Sequence, residues 1–283
     1  MFDIVDTHTH VISTDQVRYP LMPLGGKQSD WSQKRPTSAA DLIAAMDAAG
    51  VAQAAVVQAS TAYGADNSYL ADCVAAHPDR FTGVFSIDMF APDAVTQLDR
   101  WMAAKLTGLR IFTTGSTSPG QADWLADART FPIWERAEAA NLPVCLQMRP
   151  EGVPDLRKLL ERFRSVPILL DHLARPVLNE GPPYTKANWL FDLAAYPNLY
   201  LKATTRTVEQ AGEGASTHAA FFPKLVSAFG ADRICWGSNF PAHEGPLSRL
   251  VDEAKHALAC LPTADQAMIF SGTARKLYPA LAR

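Results

Sequence analysis

Two histidines two residues apart, His8 and His10, stand in the run Val5-Asp6-Thr7-His8-Thr9-His10. In an extended strand alternate residues point the same way, so the pair can hold one metal ion or one substrate oxygen between two imidazoles. A third histidine, His172, closes an apolar run that begins at Val166, and Arg175 follows three residues later. Asn239, in Trp236-Gly237-Ser238-Asn239-Phe240-Pro241, reaches the same level if its segment is a strand; otherwise it is a turn residue before an aromatic–proline step. Arg110, Gln147, Arg149, Lys202 and Arg206 stand at or just beyond the ends of other apolar runs. A guanidinium fork suits a carboxylate, with hydrogen bonds about twice as strong as neutral ones. Imidazoles ringed by cations point to a small anionic substrate. The plain alternative is that Arg149 and Arg206 pair with acids on a rim.

Elements of one kind must bring these residues together. Strands are expected over residues 3–10, 54–60, 81–88, 107–112, 142–148, 166–172, 199–204 and 233–238, several of them solid apolar runs of the sort covered on both faces in a parallel sheet. Helical spacing fills the intervals, over 38–49, 67–76, 93–104, 131–140, 153–163, 187–195, 221–229 and 246–259, with one or two closing helices after Pro262. Eight such alternations predict a (β/α)8 TIM barrel, one domain over residues 1–283. The longer irregular pieces, 12–36, 113–130, 174–186 and 205–218, all follow predicted strands, on the face where barrels carry their chemistry.

Composition excludes other classes. The 26 Lys and Arg against 29 Asp and Glu leave a net charge of −3, unsuited to binding nucleic acid through its phosphates. With 48% hydrophobic and 19% charged residues the chain is too apolar for disorder. No uncharged apolar run approaches the roughly 18 residues of a membrane span. The N-terminus carries Asp3 and Asp6 rather than a basic leader, so a cytoplasmic protein is expected. Cys73, Cys145, Cys235 and Cys260 lack metal-binding spacing and read as buried reduced thiols. Gly25-Gly26-Lys27 lacks the spacing of a phosphate loop. Trp31 and the other tryptophans read as packing anchors, while Tyr19, Tyr63 and Tyr184 follow strands and are candidates to line a pocket.

The segments DTHTH, DHLARP and WGSNFP, with the closing SGTARKLY, resemble the amidohydrolase superfamily. More narrowly they resemble its amidohydrolase-2 branch, which contains 2-pyrone-4,6-dicarboxylate lactonase and sugar lactonases. The resemblance implies a (β/α)8 barrel hydrolysing a small cyclic ester, with His8, His10 and His172 polarising the carbonyl and Arg110 and Arg175 binding substrate carboxylates. Metal-dependent relatives add a fifth-strand His and an eighth-strand Asp, where this chain has Gln147 and Asn239. Neutral amides ligate transition metals poorly and cannot take a proton from water. The expected metal set therefore falls to His8, His10 and His172, and a metal-independent lactonase fits better than a zinc enzyme, although three histidines can hold zinc. Asn239 is either an engineered replacement that traps substrate, a native residue with the base elsewhere, or part of a reaction that needs no base. His243, Glu244 and Asp171 are the neighbouring alternatives, with Asp171 expected to point away from His172. The competing functions are a zinc-dependent decarboxylase of the same superfamily and a non-catalytic barrel binding an acidic metabolite. A homodimer is among the open oligomeric states.

Overall fold

Runs such as Val-Cys-Leu-Gln and Ile-Leu-Leu-Asp open with three successive apolar residues, and the structure buries all four of each. That is the mark of strands with side chains on one face filling a barrel and on the other meeting helices. A computed structural model describes residues 2–115 and 119–282. Its strands are β1 (Val5–Thr9), β2 (Gln53–Val57), β3 (Phe81–Ser86), β4 (Gly108–Phe112), β5 (Val144–Gln147), β6 (Ile168–Asp171), β7 (Leu199–Thr204) and β8 (Ile234–Gly237). They pair in parallel in sequence order, as the (β/α)8 reading expects. Side chains stitch the seam between β8 and β1. Thr7 Oγ1 donates to the Trp236 carbonyl at 2.6 Å, the Ser238 amide to Asp6 Oδ1 at 2.8 Å, and the Asn239 amide to the His8 carbonyl at 2.8 Å.

Two apolar layers hold the barrel. Ala54, Val56, Leu109, Ile111, Leu146 and Leu170 pack outward against the helices. Val5, Ala55, Val57, Val84, Cys145, Leu169 and Cys235 face inward, and Leu277, Tyr278 and Leu281 from the chain's last turns join them as a plug. The interior is thus filled, and chemistry is confined to the ends of the strands.

The expected helices form, some with their expected ends. Ala39–Ala49 starts with a capping box between Ser38 and Asp41 and stops at Gly50, whose φ of 67° suits glycine. Thr205–Ala211 is helical where an irregular loop is expected. Its buried face is Thr205, Thr207, Val208 and Ala211, small residues that leave no strong apolar period. Cys260 is exposed, contrary to expectation, whereas the other three thiols are buried and all four are free. No helix of the described residues is long and apolar enough to cross a membrane.

Candidate active site

Alternation along β1 would set Val5 and His8 on opposite faces, yet Val5 packs in the barrel interior and His8 also points inward, its Nδ1 3.6 Å from Asp171 Oδ1. A bulge explains this. Asp6 pairs with Ala54 but Thr9 with Val56, so β1 carries one residue more than β2 over that interval. An extra residue reverses the alternation beyond it. The ring centroids of His8 and His10 are 5.0 Å apart, and those of His8 and His172 are 4.9 Å apart. Gly237 makes room for this cluster: a Cβ there would lie 2.7 Å from His8 Cβ and 3.0 Å from its amide nitrogen.

The end of β6 contradicts one expectation. Asp171 does not point away from the site; it faces the interior together with Leu169. His172 nevertheless turns in the same direction, because His172, Leu173, Ala174 and Arg175 all have φ between 52° and 61°. Four successive left-handed residues end strand alternation at Asp171 and bring His172 Nδ1 to 2.7 Å from Thr204 Oγ1. Lys202 requires a second correction. It is not a cation of the barrel mouth but is wholly buried, with Nζ 2.9 Å from Asp171 Oδ1 and 3.2 Å from Cys145 Sγ. Burial opposes the charge on Asp171, but the Lys202 ammonium, with the Arg110 guanidinium beyond it, outweighs this and holds the carboxyl well below its usual range. Burial pushes His8 well below the ordinary imidazole value, and His10 and His172 to about 3, with Arg110 adding to the effect at both. At neutral pH all three rings are uncharged.

Above this buried layer lies a cavity of about 140 Å³ lined by His10, Arg110, Gln147, His172, Arg175, Arg206 and Asn239, with Trp31, Ser60 and Thr61. Arg110 is anchored: its guanidinium donates to the Gln58 carbonyl and to Gln147 Oε1, and Nε lies 4.0 Å from Asp171 Oδ2. Arg175 has a buried Nε with no hydrogen-bond partner. Burial and the nearby Arg206 and Arg149 all push its pKa down. Arg149 is half-buried beside Thr114 rather than on the cavity wall. Among the described residues none of Arg149, Arg175 and Arg206 forms an ion pair with an acid, so the reading of Arg149 and Arg206 as rim salt bridges fails. Two guanidiniums on the cavity wall, Arg175 and Arg206, thus stand without a carboxylate partner, and Arg149 is close enough to add to their field.

Some residues on the wall carry no sequence signal strong enough to single them out. Trp31, read as a packing anchor, stacks on His10 with centroids 5.1 Å apart. Ser60 and Thr61 begin a short helix after β2. Their positions beyond strand ends are the signal that could have found them. By contrast Tyr19 hydrogen-bonds Asp72, Tyr63 accepts from the Ser13 amide and Tyr184 contacts Ser216, so none lines this cavity. Asn239 has a φ of 61°, a backbone state in which Asn is at home, and its side chain reaches the cavity. Glu244 is spent on Arg35 at the surface, and His243 faces Glu209 at 3.1 Å.

A family model described as amidohydrolase matches residues 5–280. The chain belongs to the amidohydrolase family. Its sequence is 27% identical to an L-fucono-1,5-lactonase of Burkholderia ambifaria over 42% of this chain, a match covering 41% of that protein. It is 26% identical to a D-galactarolactone isomerase of Agrobacterium fabrum, covering 84% of this chain and 76% of the relative. A Pseudomonas putida structure described as a candidate 2-pyrone-4,6-dicarboxylic acid hydrolase superposes with a TM-score of 0.78 at 20% identity, covering 99% and 98% of the two chains, which shows the shared fold.

For this amidohydrolase the family raises the question of a metal. The nitrogens are suitably presented. His10 Nδ1 lies 2.8 Å from the Val57 carbonyl, which can only accept, so the neutral ring carries its proton there and turns a lone pair at Nε2 to the cavity. His8 Nδ1 faces the Asp171 carboxylate, and its Nε2 has no partner. The positions are less suitable. Among the described residues no three His, Cys, Asp or Glu side chains converge into a metal-holding group. The fifth-strand amide is committed, with Gln147 Nε2 donating to the Thr114 carbonyl at 3.0 Å and Oε1 taken by Arg110. The fifth strand therefore adds no ligand to the three imidazoles.

Proposed function

We propose that this amidohydrolase hydrolyses a small lactone bearing at least one carboxylate, without a resident metal. The observation that carries the reading is the acid-free pair Arg175 and Arg206 on the cavity wall beside neutral imidazoles at the open ends of the strands. The related lactonase and lactone isomerase act on cyclic esters, which supports the same bond class here. Arg175 and Arg206 take the carboxylate. Arg110, pinned by Gln58 and Gln147, presents its charge to the lactone carbonyl and stabilises the developing oxyanion. His172 can share this work, since a hydroxyl proton from Thr204 at Nδ1 would leave an N–H at Nε2.

His10 is assigned a role different from carbonyl polarisation. Its Nε2 lone pair accepts from the attacking water, and the Asn239 amide on the same wall orients that water without taking its proton. Preorganised hydrogen bonds and charge do most of the work, with weak base assistance. The lactone ring itself is expected to be small, given the cavity of about 140 Å³. A panel of pyrone and sugar lactones, with and without carboxylates, tests the reading by acid release. Turnover confined to the carboxylated members supports it, and turnover confined to neutral members rejects it. In the same assay, a rate gain in Asn239→Asp identifies residue 239 as the place of a missing base.

A second reading, zinc-dependent decarboxylation, is favoured by one observation: the Nδ1 sides of His8, His10 and His172 all face oxygen partners, which leaves three Nε2 atoms available. Metal analysis of the purified protein decides. Stoichiometric zinc whose removal abolishes turnover would replace the metal-free account.

A further inference from the structure

Beside the small cavity lies a larger one of about 520 Å³, and the two share Ser60, Arg110 and Phe112. Its character is different. Among the described residues five large hydrophobic side chains are exposed, and three of them, Met22 (61%), Leu24 (37%) and Phe90 (39%), line this one chamber. Phe90 meets Trp124 edge to face with centroids 5.5 Å apart, and Ile87 and Met89 complete an apolar wall. The one acid there, Asp88, is engaged by the Phe90 amide at 2.9 Å. Exposed apolar side chains gathered around a concavity mark a site that something apolar covers.

We propose that this chamber is a second subsite, which receives an aromatic group attached to the anionic ring bound beside Arg110 and Arg175. The occupant follows from continuity. Arg110 stands on the shared wall, so a ligand whose anionic end lies against the guanidiniums leads directly into the chamber. Aromatic edges and methionine sulfur favour a flat ring there. The substrate class is then an aryl-substituted anionic lactone rather than a small dicarboxylate alone. The proposal rests on the reading of the arginine group as an anion site, and its test is built so that the two can fail separately.

Calorimetric titration of the full chain with acetate, phenylacetate, 3-phenylpropionate and 4-phenylbutyrate needs no turnover. The best phenyl-bearing carboxylate is expected to bind at least about tenfold more tightly than acetate. In Phe90→Asp and Met22→Asp, changes at exposed positions that spare the fold, this gain falls below about threefold while acetate binds as before. In Arg175→Met all the carboxylates weaken together. Carboxylate binding with no gain from the phenyl group, or with a gain indifferent to Phe90→Asp and Met22→Asp, overturns the subsite and leaves the anion site standing. Failure of every carboxylate to bind overturns both. Light scattering supplies the remaining outcome: a dimer that Phe90→Asp and Met22→Asp dissociate would assign the apolar chamber to a second copy and reject the subsite.

Discussion

Two groups of cations close the same part of the barrel, one inside and one at its mouth, and they are treated in opposite ways. Lys202 is fully enclosed and paired with Asp171 at 2.9 Å, with His8 and Arg110 gathered around the same carboxylate. Arg175 and Arg206 line the cavity with Arg149 behind them; burial, then Arg206 and Arg149, push the Arg175 pKa down, and among the described residues none of the three pairs with an acid. A buried charge beside its counter-ion is compensated within the fold. Like charges left together without one raise the energy of the free protein, and a bound anion relieves it. The difference separates side chains whose charge is compensated within the fold from those whose charge is not.

The sharpest way to break the comparison is Lys202→Met, which strands the Asp171 carboxylate inside the barrel. A loss of about 3–5 kcal/mol in urea unfolding is expected, partly recovered in Lys202→Met combined with Asp171→Asn. Acid should weaken the fold through the same layer. His10 and His172 have folded pKa values of about 3 against an ordinary 6.5, so between these values the unfolded chain binds more protons. Their contribution is full above about pH 6.5 and fades as pH falls toward 3, and the melting temperature should rise steadily from pH 4 to 7. Constancy over that range would show that the rings are not held neutral. Gly237→Ala places a methyl against His8 and should cost about 1–3 kcal/mol, with loss of turnover exceeding the loss of folded protein. The smallest change is expected for Arg206→Ala. The side chain is exposed and unpaired, so stability should stay within about 0.5 kcal/mol while carboxylate binding weakens and loses salt dependence.

Much of this was legible in the sequence, for physical reasons. Strands buried on both faces write continuous apolar runs, and eight of them alternating with helices leave few alternatives to the barrel. The His8–His10 pair was legible because alternate residues share a face. What keeps the pair inside the barrel was not, since the bulge in β1 depends on register with Ala54 and Val56. Asp171 is not legible because strand alternation ends there, where four left-handed residues follow, and does not run on through His172. The burial of Lys202 is illegible for a related reason: a lysine at a strand end suggests the mouth, and only Asp171, distant in sequence, makes its burial tolerable. Trp31 was passed over because a tryptophan in a loop usually packs, and its stacking on His10 requires the path of residues that precede it.

The central claim is that the unpaired guanidiniums select an anionic lactone. Its most direct test compares kcat/KM for a carboxylated lactone and its neutral methyl ester in the parent protein and in Arg175→Met. The account predicts a loss of at least about tenfold for the carboxylated substrate and a loss of less than about threefold for the ester. Equal losses for both would contradict it and leave Arg175 as a structural side chain.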